Sequence, residues 1–220
     1  MTTVVLLGAP GAGKGTQAVL LRDRLGIPHI ATGDLFRRAV RDGSALGFEA
    51  RRYMERGQLV SDEITVKMLL DRLAEPDTRD GAILDGFPRT RVQAEALDAA
   101  LAAAGSQVDR ALLVEVPERE LVRRLAGRWI CSMSGHVYNL AANPPQVAGT
   151  CDLDGSDLVQ RADDKIETVQ ARLVQQLAAL ADVVDYYRGA DVLVAIDGLQ
   201  PIPDVTKALV AALAGARLVG

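Results

Sequence analysis

The chain has little cysteine, no excess of positive charge and no long apolar run, and each shortage excludes something. Two cysteines in 220 residues cannot form a disulfide framework, and a chain of this length buries enough core to need none. A formal net charge of -4 argues against a body built to bind nucleic acid, although it leaves room for local arginine clusters. The start, MTTVVLLGAP, lacks a basic leader region and its apolar run is too short for a signal peptide. The late run ALVAALAGA is far too short to cross a bilayer. Internal repeats and low-complexity tracts are also missing. These shortages predict a cytoplasmic protein with no membrane partner and no nucleic-acid partner.

What remains is a globular composition, 49% hydrophobic and 25% charged. Apolar β-branched runs alternate with amphipathic patterns, which predicts an α/β fold with a parallel sheet covered by helices. The predicted strands are Thr3–Leu7, Pro28–Ile30, Ala82–Asp85, Ala111–Val116 and Val192–Ile196. The predicted helices are Gly13–Leu25, Gly33–Asp42, Leu46–Arg56, Glu63–Leu73, Arg91–Ala103, Glu118–Ala126, Asp163–Arg188 and Asp204–Ala214. Two segments break the alternation. Residues 31–60 read as all-helical and arginine-rich, where one helix would suffice. Residues 128–163, with Pro144-Pro145 and the alternating HVYNL, read as a small β insertion.

GAPGAGKGT, Gly8–Thr16, follows the first strand and opens a helix. It has the spacing of a phosphate-binding loop, with Gly15 where serine or threonine is usual and Thr16 just after. The glycines let backbone N–H groups turn inward, the helix N-terminus adds a positive dipole end, and Lys14 adds a point charge. LDGFPRT, Leu84–Thr90, ends the third strand, where open α/β sheets bind ligands. Asp85 is placed to hold a Mg²⁺-bound water there, and Pro88 stiffens the loop carrying Arg89. In TGDLFR, Thr32 is a candidate helix N-cap, and Arg37 and Arg38 taken alone read as a solvated helix face. Arg124 and Arg128 are four apart and are predicted to share a helix face; Arg161 and Arg172 follow the insertion. Guanidinium groups suit a site that must bring two polyphosphates together. Asp163 and Asp164 suit the first turn of a helix, a structural role. His29 and His136 carry no neighbouring pattern and are assigned none.

With GAPGAGKGT, TGDLFR, GQLVSDE, LDGFPRT, GHVY, NPP, QRADD and IDG in this order, nearly the whole chain resembles the adenylate kinase family in its long form. The resemblance implies a P-loop three-layer fold with a five-stranded parallel sheet. The core would be residues 1–30, 61–126 and 165–220, with an AMP-binding insertion at 31–60 and a lid at 127–164. It implies Mg²⁺-dependent transfer, ATP + AMP = 2 ADP, by a monomer. ATP would bind Gly11, Ala12, Gly13, Lys14, Gly15 and Thr16, with Arg124 over its base and Arg128 on its phosphates. Val137, Tyr138 and Gln200 would add contacts; the family usually has lysine at the last position. AMP would bind Thr32, Arg37, the backbone of Gln58, Leu59 and Val60, the stretch Gly86, Phe87, Pro88 and Arg89, and Gln93, which would read adenine. Arg161 and Arg172 would complete the clamp. Lys14, Arg89, Arg128, Arg161 and Arg172 would surround the transferring group, with no general base.

Three rivals make different demands. A kinase of UMP or CMP would share the scaffold, but Gln93 and the long insertion favour AMP. A nucleotide-binding module without catalysis would show gaps in the arginine set. A zinc-knuckle nucleic-acid binder would need a basic surface and a complete ligand set. Cys131, Ser134, Cys151 and Asp154 occupy the positions where lids of this family hold either zinc or a polar cluster. Cys131, Cys151 and Asp154 could bind Zn²⁺ with a water, but a serine hydroxyl is a poor fourth ligand. Metal-free polar packing is therefore favoured over zinc, and a disulfide least of all. The site is a structural staple for a lid with little core of its own.

Overall fold

The computed structural model describes residues 1–56, 58–140, 143–160 and 166–214, the last stretch without the side chains of residues 166, 167, 171 and 172. Along the chain run β1 (Thr2–Leu7), α1 (Lys14–Leu25), β2 (His29–Ala31), α2 (Thr32–Arg41), α3 (Ala45–Met54), α4 (Asp62–Leu73), β3 (Gly81–Asp85) and α5 (Arg91–Ala103). There follow β4 (Arg110–Glu115), α6 (Glu118–Ala126), β5 (Arg128–Cys131), β6 (Val137–Asn139), β7 (Leu158–Val159), α7 (Ile166–Gly189), β8 (Leu193–Asp197) and α8 (Ile202–Leu213).

β1, β2, β3, β4 and β8 form one five-stranded sheet in the order β2-β3-β1-β4-β8, every pair parallel. The five predicted strands are these five, each displaced by one residue at one or both ends. The apolar runs stay continuous because both faces of the sheet are covered. Successive side chains of β1 point to opposite faces, so Val4 and Leu6 enter one cluster with Ile83, Leu112 and Val114, while Val5 and Leu7 enter another with Leu84 and Leu113. Leu21 of α1, Leu121 and Leu125 of α6 and Leu209 of α8 cover the first face. Leu69 of α4 and Leu97 of α5 cover the second. The long α7 serves both, with Val169 and Leu173 on the first cluster and Val183 and Tyr187 on the second. The result is a three-layer α/β fold, as predicted.

Both interruptions have their own small cores. Phe36, Ala50, Val60 and Ile64 tie α2 and α3 to α4. The two helices cross closely at Gly47, where an added Cβ would lie 2.1 Å from the carbonyl oxygen of Ala39. Ser44 caps α3 by accepting from the Gly47 N–H at 3.0 Å. The other interruption is a three-stranded antiparallel sheet, β6-β5-β7, packed on Cys131, Tyr138, Cys151 and Leu158 with Trp129 beside them.

The sheet corrects one expectation. Arg124 and Arg128 do not share a helix face: α6 stops at Ala126, Gly127 caps it, and Arg128 already belongs to β5, paired with Asn139. Arg161, Asp163, Asp164 and the side chain of Arg172 lie outside the described residues.

Candidate active site

The phosphate-loop segment is built by three glycines with positive φ. Gly8, Gly11 and Gly13 have φ of 143°, 84° and 97°, and Gly13 is the N-cap of α1. At two of them space is also tight. A Cβ on Gly8 would lie 2.7 Å from the Val114 carbonyl oxygen, and one on Gly11 would lie 3.0 Å from Leu125 Cγ. The loop is thus wedged between the end of β4 and helix α6, and Arg128 follows Leu125 by three residues. Lys14 Nζ reaches back across the loop, donating to the carbonyl oxygens of Gly8 at 2.8 Å and Ala9 at 3.0 Å. Gly15 and Thr16 lie exposed on the first turn of α1.

Asp85 ends β3 beside this loop; a Cβ on Gly15 would sit 3.5 Å from its Oδ2. Burial opposes its charge, but the hydrogen bond from His29 and the charges of Lys14, His29 and Arg89 hold its pKa below the ordinary value. It is therefore an ionised carboxylate at neutral pH. His29 Nε2 lies 3.3 Å from Asp85 Oδ2, so this histidine, given no role from the sequence, supports the site's acid.

From Asp85 the chain turns through Gly86, whose φ is 75°. The Gly86 carbonyl is a junction: it accepts from Thr32 Oγ1 at 2.8 Å and from Arg89 Nε at 2.8 Å. Thr32 is not the N-cap of α2, which is Ala31; its hydroxyl is turned to Gly86 instead. Arg89 Nη1 donates to Gln176 Oε1 of α7 at 2.9 Å, a positioning contact that no motif signalled. Phe87 and Pro88 are buried and joined by a cis peptide bond. Thr32, Gly86, Arg89 and Gln176 open on a common cleft. Its walls include Thr32, Arg37, Gln58, Leu59, Val60, Gly86, Arg89 and Gln93, all predicted site residues. Arg37 pairs with Asp34 across one helical turn.

The small sheet carries a third cluster. The ligand-type atoms of Cys131, His136, Cys151 and Asp154 all lie within 4.8 Å of one another. Ser134 Oγ donates to Asp154 Oδ2 at 2.6 Å and Ser156 Oγ donates to Oδ1 at 2.6 Å. Cys131 Sγ lies 2.9 Å from Ser156 Oγ, and His136 Nδ1 lies 3.3 Å from Cys151 Sγ. The Ser134 and Ser156 hydroxyls, the Ser156 N–H and Cys131 hold the Asp154 carboxyl well below the usual carboxylate range. Both cysteines are free and buried. His136, assigned no role from the sequence, belongs to this cluster and offers the fourth donor that Ser134 cannot.

A family model for adenylate kinase matches residues 6–192. The chain belongs to the adenylate kinase family. Among curated members, adenylate kinase of Moorella thermoacetica is 50% identical over 210 residues, covering 96% of this chain and 97% of that protein. That of Streptomyces griseus is 50% identical over 211 residues, covering 96% of each chain. That of Staphylococcus aureus is 48% identical over 204 residues, covering 93% of this chain and 95% of that protein. Against the set expected of an adenylate kinase, Lys14, Asp85, Thr32, Gly86, Arg89 and Gln93 gather at the C-terminal edge of β1 and β3. Arg124 stands on α6, donating to Glu120 Oε1 at 2.8 Å and to the Gly198 carbonyl at 3.0 Å. Gln200 lies just before α8, its amide donating to Asp197 Oδ2 at 2.7 Å. On β6 Val137 is exposed, whereas the Tyr138 ring is buried in the cluster of the small sheet, with its hydroxyl accepting from the Asp152 N–H at 2.8 Å. Any nucleotide contact at Tyr138 therefore runs through its backbone. Among the described residues no helix is long and apolar enough to cross a membrane.

Proposed function

We propose that the chain catalyses reversible phosphoryl transfer, ATP + AMP = 2 ADP. The observation that carries this reading is the junction at Gly86. Gly86 follows Asp85, an acid that feels the charge of Lys14 in the phosphate loop, and its carbonyl joins Thr32 of the cleft to Arg89. Donor and acceptor phosphates held on the two sides would meet between Lys14 and Arg89.

In the reaction an AMP phosphate oxygen attacks the γ-phosphorus of ATP, a new P–O bond forms, and the bond to the departing ADP breaks. No proton has to pass through the protein, so charge neutralisation and positioning carry the rate. Backbone N–H groups of Gly11–Thr16 would cradle the donor phosphates, with Lys14 on the outer ones. Arg124 would face the donor base, Arg128 the phosphates, and the backbones of Val137, Tyr138 and Gln200 would add contacts. Thr32, Arg37, Gln58–Val60, Gly86–Arg89 and Gln93 would hold AMP. Arg161 and Arg172 would close the clamp. An ionised, largely buried carboxylate beside the phosphate loop fits a water-mediated Mg²⁺ site at Asp85; the ion would neutralise phosphate charge.

Residues 31–60 and 127–164 would close over the core formed by 1–30, 61–126 and 165–220, keeping water from the transferring group. The lid cluster serves as a hydrogen-bonded staple without metal. One observation favours a second reading for it, the fourth donor from His136, and zinc analysis of the purified protein separates the two. A monomeric, cytoplasmic enzyme is the setting proposed. ADP formation from ATP, AMP and Mg²⁺ tests the function; failure to form ADP with a folded protein overturns it.

A further inference from the structure

The Gln93 amide accepts at Oε1 and donates at Nε2, two ends alike in outline and opposite in chemistry. Its side chain is only 1% exposed, lines the cleft, and is held at both ends. The backbone N–H of Arg89 donates to Oε1 at 2.8 Å, and Nε2 donates to Asp62 Oδ1 at 2.8 Å. A peptide N–H can only donate and an ionised carboxylate can only accept. One orientation of the amide satisfies both neighbours; the other sets oxygen against oxygen and hydrogen against hydrogen. Asp62 is itself fixed, because Thr90 Oγ1 donates to the same Oδ1 at 2.9 Å while accepting from the Gln93 N–H at 3.2 Å. The start of α4 is thereby tied to the start of α5.

We infer that Asp62 is a positioning residue that sets which purine the cleft accepts, by locking the Gln93 amide in one orientation. The inference rests on the reading of the cleft as the monophosphate site. With both ends engaged, Gln93 keeps one N–H and one lone pair for a ligand. Together they match a 6-aminopurine, whose exocyclic amine donates and whose neighbouring ring nitrogen accepts. A 6-oxopurine presents the reverse, a carbonyl that accepts and a ring N–H that donates. To meet it the amide must turn over, against both Asp62 and the Arg89 N–H. Of these two clamps only Asp62 is a side chain, so only Asp62 can be removed by substitution.

The test compares AMP with IMP as acceptors at saturating MgATP, in the intact chain. Asp62→Ala should lower the AMP-to-IMP ratio of kcat/KM by about tenfold or more, through a raised KM for AMP and a gain with IMP. Turnover at saturating AMP should change little. Asp62→Asn can offer either a carbonyl oxygen or an NH₂ to the Gln93 amide; with Thr90 Oγ1 donating to the carbonyl, it should lower the ratio by less than Asp62→Ala. If Asp62→Ala melts below the assay temperature, Asp62→Ser, one bond shorter at the acceptor, takes its place. A wild-type ratio in the folded Ala or Ser variant overturns the inference while leaving the cleft's reading intact. A wild-type protein inactive with AMP overturns the reading of the cleft and the inference with it.

Discussion

Replacing Lys14 by methionine should separate catalysis from folding. Methionine keeps an unbranched apolar stem and loses the charge. In the fold the loss includes the hydrogen bonds from Nζ to the carbonyls of Gly8 at 2.8 Å and Ala9 at 3.0 Å. A bond from a charged donor is worth about 1.5–3 kcal/mol, but this part-buried loop lets water replace some of it. The expected stability loss is therefore about 1–2 kcal/mol, a Tm decrease of roughly 2–8 °C for a chain of this size. In the transition state the loss is larger, because a fixed cation beside the transferring group is removed where charge is redistributed. Removing one such preorganised donor costs on the order of 10²–10³ in kcat, about 2.7–4 kcal/mol. A coupled assay of ADP formation and a thermal melt measure the two effects. A folded Lys14→Met protein with kcat within tenfold of wild type would refute the role of the loop cation.

Arg128→Ala should keep the melting transition of the core, since Arg128 opens β5 outside both core clusters, yet lose on the order of a hundredfold in turnover measured by the same assay. Asp98 is raised above its ordinary pKa, mainly by burial, and among the described residues its Oδ1 and the buried Tyr187 hydroxyl have no hydrogen-bond partner. The folded state therefore binds a proton more readily than the unfolded one. Stability should rise as pH falls through the raised value, and the ionised form should cost stability above it. Asp98→Asn should raise Tm at pH 8, with the gain shrinking as pH falls through the raised value, as followed by thermal melts from pH 8 into the acid range. Metal analysis should find zinc well below one per chain, and chelation should leave Tm unchanged; stoichiometric zinc with a chelation-sensitive melt would establish Cys131, His136, Cys151 and Asp154 as a metal site.

The parts of the molecule readable from sequence are those determined by neighbours along the chain. VVLLG and ALLVEV announce buried strands because both faces of the sheet are covered, and GAPGAGKGT announces its loop because glycine spacing is local. The strand order β2-β3-β1-β4-β8 is set by long-range pairing and was not readable. Arg128 was assigned to a helix face because four-residue spacing says nothing about Gly127 ending α6. Thr32 looked like a cap because TGD has that pattern, but the Gly86 carbonyl competes for its hydroxyl across the sheet edge. His29 and His136 meet their partners 56 and 15 residues away, and Asp62 meets Gln93 31 residues away, so no local motif marks them. Asp62 at a helix start passes for an ordinary first-turn acid until the fold brings α5 beside it.

The cleft beside Gly86 is proposed to take AMP and to receive a phosphoryl group from ATP. The most direct measurement is initial-rate formation of nucleoside diphosphate from MgATP with AMP, UMP, CMP and GMP in parallel. ADP should form rapidly with AMP, and the other three should react at rates lower by orders of magnitude. Rapid turnover of UMP or CMP with none of AMP would contradict the proposal.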